Sequence, residues 1–155
     1  MKLHIIAIGK GMPAWVSTGF SEYIDRLPAD YHAQCIEIPA EKRTKKADMQ
    51  KIMAAEESKI KLVMPKGAFC IALDRIGKTV STAALAKDLQ TWHDNQQVIC
   101  FVIGGPEGLS TDFLNQANTV WSLSALTLPH PLVRVVLAEQ LYRAWSINVN
   151  HPYHR

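Results

Sequence analysis

The residues best placed to do chemistry form a glycine turn, Ile103-Gly104-Gly105-Pro106-Glu107-Gly108, after an apolar run and before a stretch with helical character. Glycines at a strand end leave main chain without Cβ atoms, so a flat ligand can approach it closely. The turn is not G-x-G-x-x-G, and no acidic residue stands where a ribose would need one. Nor does a Lys-Ser/Thr pair follow the glycines, which rules out a P-loop. A plain tight turn is the competing reading. Downstream, LSALTLPHP (123–131) is apolar and lies between a strand and a buried helix. Its N–H and C=O groups need partners there, and an adenine edge would supply them together with an apolar face. His130, between two prolines, sits at a helix N-terminus, where the dipole disfavours imidazolium and favours an anion. A local capping role is the alternative for His130.

The chain ends NHPYHR (150–155). His151 and His154 have no evident third ligand, so no metal site is expected. Tyr153, His154 and Arg155 are better suited to stacking on a base and holding its phosphate; a disordered end is the plainer alternative. Glu107 and Glu139 are the acidic candidates, and both read as structural. Cys35, Cys70 and Cys100 stand far apart in apolar runs with no CxxC pair. They read as buried core thiols in a reducing compartment.

These residues need a scaffold, and the periodicity supplies one. Apolar runs at 3–9, 33–38, 69–74, 97–105 and 119–124 read as strands. Helices are expected from Pro13 to Leu27, from Ala47 to Val63, from Ser81 or Thr82 onward, and from Leu109 to Ala117 with Ser110 as cap. Strands that are apolar on both faces and alternate with helices predict an α/β fold, a mostly parallel sheet flanked by helices, in a single domain. Ligands in such folds bind beyond the carboxyl ends of the strands, which points to the loops after Asp74, Gly104 and Ser122. A last helix from Pro131, PLVRVVLAEQLYRAWSINV, spans about 28 Å. It is apolar nearly all round and needs cover on two sides, which predicts a homodimer built on this helix.

The 155 residues carry a hydrophobic fraction of 48% and a net charge of +3. No run reaches the roughly 18 apolar residues of a membrane span, and the N-terminus has no signal-peptide cleavage site. A cytoplasmic protein with neither membrane nor DNA as partner is expected. Two basic zones, EKRTKK (41–46) and the C-terminal region with Arg134, Arg143 and Arg155, are compatible with a phosphate-rich partner.

IGGPEGLS, SLSALTLPHPLVRVVLAEQLYRAWSI and HPYHR closely resemble the ribosomal RNA large subunit methyltransferase H family of the SPOUT superfamily. EIPAEKR and LDRIGK extend the match over the whole chain. The resemblance implies a C-terminal trefoil knot, although topology rules alone would have rejected one. It implies S-adenosylmethionine as methyl donor, held by Leu73, Gly104, Leu123, Ser124, Ala125, Leu126, Thr127 and Leu128. The implied acceptor is N3 of a pseudouridine in 23S rRNA, on the assembled ribosome.

An imide nitrogen becomes a good nucleophile only as its proton leaves. It must also lie in line with the methyl group, at about 3–3.5 Å. Arg134, His154 and Arg155 are the expected grip on the target nucleotide, and His130 shapes the donor–acceptor junction. His154 is the candidate base, on a mobile tail that closes over a flipped base. One rival reading is a non-catalytic ribosome-associated RNA-binding factor, which would show no affinity for the methyl donor. The other is an ordinary Rossmann enzyme, which the broken glycine fingerprint disfavours.

Overall fold

In the computed structural model, which describes residues 1–155, the apolar runs pair into one sheet. β1 (Lys2–Ile8), β2 (Ala33–Ile38), β3 (Phe69–Thr79), β4 (Val98–Ile103) and β5 (Thr119–Ser122) take the order β2-β1-β4-β3-β5. Every neighbouring pair is parallel. β1 and β4 are central, which explains why their sequences are apolar on both faces. β3 runs past the expected end at Asp74. After a bulge, Lys78 and Thr79 pair again with Trp121 and Ser122. Gly77 makes this approach feasible, because a Cβ there would lie 2.5 Å from the main-chain carbon of Trp121. β4 stops at Ile103, so both glycines of the turn lie outside the ladder.

Helices cover both faces. α1 (Ala14–Ile24), α3 (Thr82–Asp94) and α5 (His130–Asn148) share one core with Leu3, Ile5, Ile71, Phe101 and Trp121. α2 (Met49–Val63) and α4 (Thr111–Gln116) cover the other face over Ile6, Ile8, Cys70 and Val102. Local chemistry sets the boundaries. Asp48 caps α2 by accepting from the N–H groups of Gln50 and Lys51, and Ser81 and Ser110 cap α3 and α4. Phe101, fully buried, meets Trp121 and Trp92 edge-on at 5.8 and 6.2 Å. No helix is long and apolar enough to cross a membrane.

Three expectations change. α5 lies between α1 and α3 over the sheet, so neighbours in the same chain cover both its flanks. Its all-round apolar character therefore does not by itself require a partner. Cys35 is exposed rather than buried, because β2 is an edge strand that the helices cover only in part. Cys70 and Cys100 are buried as expected, and burial pushes their thiols up to about 11 and about 12. Finally, the C-terminus is ordered, with Pro152–His154 in a short 3-10 helix packed against α5.

Candidate active site

β1 and β4 are adjacent, yet β1 leads into α1 on one face while β4 leads into α4 on the other. Ligand crevices in parallel α/β sheets lie beyond the carboxyl ends of the strands, here on the β3–β4–β5 side of that divergence. A cavity of about 630 Å³ opens at that edge, walled by the segments that leave β3, β4 and β5 and by the start of α5. Leu73, Gly104, Leu123, Ser124, Leu126, Thr127, Leu128 and His130 all line it. Ala125, which is exposed, does not. Asp74, Trp121 and Val133 also contribute and were not anticipated. Their signal was only their place beside the three predicted loops.

Two walls differ from expectation in detail. A Cβ on Gly104 would come within 2.6 Å of the main-chain carbon of Gly108, so its bareness lets the turn close on itself. The expected close approach of a ligand to that backbone is a secondary consequence. The stretch 123–128 makes no backbone–backbone hydrogen bond. Its internal ties are Ser122 Oγ donating to the Ser124 carbonyl and Leu126 N–H donating to Ser124 Oγ. The expected shortage of main-chain partners is therefore present. The segment is less buried than expected, however, and Leu126 is 75% exposed.

His130 is the first residue of α5 and makes no capping hydrogen bond, so a capping role does not account for it. Its Nδ1 is buried without a partner. Burial, then the charges of Arg134 and Arg43, hold its pKa below the ordinary imidazole value, with Glu107 opposing. His4 is lowered likewise, by burial and then Lys2. For both, the unfolded chain takes up a proton first on acidification, beginning near the ordinary value of about 6.5. Stability should therefore fall as pH drops from there through the folded-state pKa values. Urea unfolding across this range checks the sign, and a His4→Gln/His130→Gln double variant should flatten the slope.

Arg134 is 3% exposed and is not available as a nucleotide grip. Its Nη1 donates to Glu37 at 2.7 Å, and its Nη2 donates to the carbonyls of Ile8 and Gly9 at 3.0 and 2.8 Å. Gly9 sits at φ 110°, where a side chain would be strained and a Cβ would come within 3.0 Å of Met12 Cε and 3.3 Å of Arg134 Nη2. Arg134 thus ties the start of α5 to the end of β1, a structural role that replaces the expected nucleotide contact. Arg134→Ala orphans two buried carbonyls and should cost on the order of 2–5 kcal/mol in denaturant unfolding.

The tail residues do not join the cavity of their own chain. Tyr153 packs on Tyr142 and Tyr23, donates to Glu139 at 2.9 Å, and lies beneath the Arg143 guanidinium. Burial and then the Glu139 contact raise its pKa and keep it protonated. His151 Nδ1 accepts from Tyr153 N–H, and Glu139 also holds Arg143. Glu139 is structural, as expected, whereas the mobile tail is replaced by an anchored one. His130 begins α5, and the tail folds back from the far end of that helix to the level of Glu139 and Tyr142, about 14–18 Å along the axis from His130. No cluster of three side chains that could hold a metal forms in the chain.

The basic segment 41–46 divides. Lys42, Lys45 and Lys46 are exposed, but Arg43 turns inward to the carboxylates of Glu56 and Glu107.

A parallel α/β domain with a cavity at the carboxyl edge of its sheet, lined by a half-buried histidine whose Nδ1 lacks a partner, has the layout of a ligand-binding enzyme domain. The family model for predicted SPOUT methyltransferases matches residues 1–154, and the chain belongs to the SPOUT methyltransferase family. It is similar to the ribosomal RNA large subunit methyltransferase H of Coxiella burnetii (strain Dugway 5J108-111). That similarity is 52% identity over all of both chains. The protein of the same name from Thioalkalivibrio sulfidiphilus (strain HL-EbGR7) is 48% identical over 100% of this chain and 99% of its own. Among solved structures, a probable methylase family protein from Haemophilus influenzae Rd KW20 aligns with a TM-score of 0.58 at 14% identity. It covers 96% of this chain and 68% of that one, a likeness of fold.

Proposed function

We propose that this chain transfers a methyl group from S-adenosylmethionine to N3 of a pseudouridine in 23S rRNA, acting as a cytoplasmic homodimer on the assembled ribosome. The observation that carries the reading is the stretch 123–128, whose main chain lacks backbone partners along one wall of the 630 Å³ cavity. A purine edge satisfies such groups, and a cavity of this size suits a nucleoside-sized ligand. The names of the full-length relatives support the activity and the rRNA substrate. The threaded, knotted path expected of the C-terminal segment is part of the same proposal.

Leu73, Gly104, Leu123, Ser124, Leu126, Thr127 and Leu128 would hold the donor, with Ala125 keeping the loop crest in shape. The donor supplies an electrophilic methyl on a positive sulfonium, so the protein's task is to place and deprotonate the acceptor. Neutral His130 at the cavity wall can accept a proton or a hydrogen bond near neutral pH. Tyr153, His154 and Arg155 lie outside the lining of their own cavity, packed on the second half of α5. An antiparallel pairing of two α5 helices about a two-fold axis would carry each tail to the partner's cavity. His154 would then act as base and Arg155 as phosphate grip, in trans. Three exposed apolar side chains, Trp15 in α1, Ile76 in the bulge of β3 and Leu126 in the loop after β5, support a cover over this part of the molecule.

Calorimetry with S-adenosylmethionine, followed by mass mapping of rRNA from treated ribosomes, tests the proposal. One donor site per chain and one new methyl on a 23S pseudouridine are expected. Ribosome binding without donor uptake would replace the proposal with a non-catalytic factor.

A further inference from the structure

α2 carries two consecutive buried acids, Glu56 and Glu57, on a helix that otherwise covers the apolar back of the sheet. Buried carboxylates need strong partners: Glu57 finds its own at the end of the loop that forms the cavity floor, and Glu56 finds its own on the β2–α2 connection. Glu57 accepts from the N–H and Oγ of Ser110, each at 2.7 Å, and so fixes the loop's far end. Glu56 accepts from Arg43 Nη1 at 2.5 Å and from the Glu41 N–H at 2.9 Å. Arg43 then spans to Glu107, with Nη2 2.7 Å from Oε2 and Nε 3.2 Å from both oxygens. The guanidinium also lies against the turn itself, since a Cβ on Gly105 would come within 3.0 Å of Nη2. One planar cation thus bridges a buried helix acid and the only carboxylate of the glycine turn, in the forked geometry that arginine favours.

We propose that Arg43 and Glu107 are a positioning pair for methyl-donor binding: Arg43, on a segment that does not line the cavity, holds Gly104–Gly108 in the shape the cavity needs by gripping Glu107, which does. This rests on the donor-binding reading above and adds Arg43, which the cavity lining does not include, to the three loops. Without the bridge, the turn keeps only the contact between Gly105 and Gly108 and the Ser110 anchor. The pair also sets the charge at the cavity wall. The charged groups that face His130 are Arg134 from α5, Arg43 from the β2–α2 connection, and Glu107 from the turn.

The test uses the full chain and S-adenosylmethionine itself. Glu107→Gln leaves the Arg43–Glu56 pair intact, so it should fold. It should weaken donor binding about tenfold by calorimetry, as loss of a charge-assisted contact predicts. Arg43→Met should weaken it at least as much. If that variant fails to fold because Glu56 is left unpaired, Glu107→Gln carries the test alone. A second readout separates positioning from simple loosening. In an NMR titration of the donor-free protein, Glu107→Gln should move the His130 midpoint further down, and Arg43→Met should move it up. Mere loosening would raise both. Folded variants that bind donor within twofold of wild type, or a raised His130 midpoint in Glu107→Gln, overturn the proposal. Absence of uptake by wild type would overturn the functional reading and this pair's role together.

Discussion

Mixing two inactive variants should restore about a quarter of wild-type methylation, if the site is shared across a two-fold axis. The first variant, Thr127→Trp, fills the cavity from an exposed loop position and leaves the core untouched. The second, His154→Ala/Arg155→Ala, removes the tail groups but keeps the Tyr153–Glu139 anchor. Each homodimer lacks one half of every composite site. Random exchange makes half of the dimers mixed, and each of those has one site built from an intact cavity and an intact partner tail. The prediction follows from the anchorage of the tail on the second half of α5, outside the lining of its own cavity at the helix start. Single-turnover assays after mild dissociation and reassociation read it. No recovery, with exchange confirmed by mass spectrometry, would place the tail outside the mechanism. Full activity at a sedimentation mass of one chain would exclude the shared site altogether.

Gly104→Ala should abolish detectable donor binding and lower stability by about 1–3 kcal/mol. The added methyl would sit 2.6 Å from the Gly108 carbonyl carbon, which is main chain and cannot swing aside. The turn must open, moving Gly105 and Glu107 away from Arg43 and reshaping the cavity floor. For a chain of this size the thermal midpoint should drop by roughly 3–10 °C. Gly67→Ala is the control, at φ 74° but with open space around its Cβ. Its cost should be backbone strain alone, about 1 kcal/mol, with donor affinity unchanged. Equal effects in the two variants would show that general destabilisation, not the closed turn, accounts for the loss.

Most of the cavity wall was legible in the sequence because it depends on strand ends. A continuous apolar run stops where the sheet stops, and in a parallel sheet the binding crevice lies beyond that point. Leu73, Gly104 and the stretch from Leu123 to Leu128 could therefore be found from local pattern and resemblance together. Arg43 was misread because a basic cluster looks alike whether its side chains face water or a buried acid. Glu56 and Glu57 passed unnoticed for the same reason, as two ordinary acids on an amphipathic helix. Arg134 looked like a phosphate grip until its fork was seen on Glu37 and two main-chain carbonyls.

The apolar periodicity, the caps at Asp48, Ser81 and Ser110, and the glycine turn determined the elements and their class unaided. Each depends on contacts within a few residues, or on which face of an element must leave water. The strand order, the flanking of α5 by α1 and α3, and the Arg43 bridge were decided only in three dimensions. These join segments tens of residues apart, such as Arg43 to Glu107, through side-chain directions that no local pattern encodes. The anchored tail belongs with them, since Tyr153 is held by Tyr23, Tyr142 and Glu139 from two different helices.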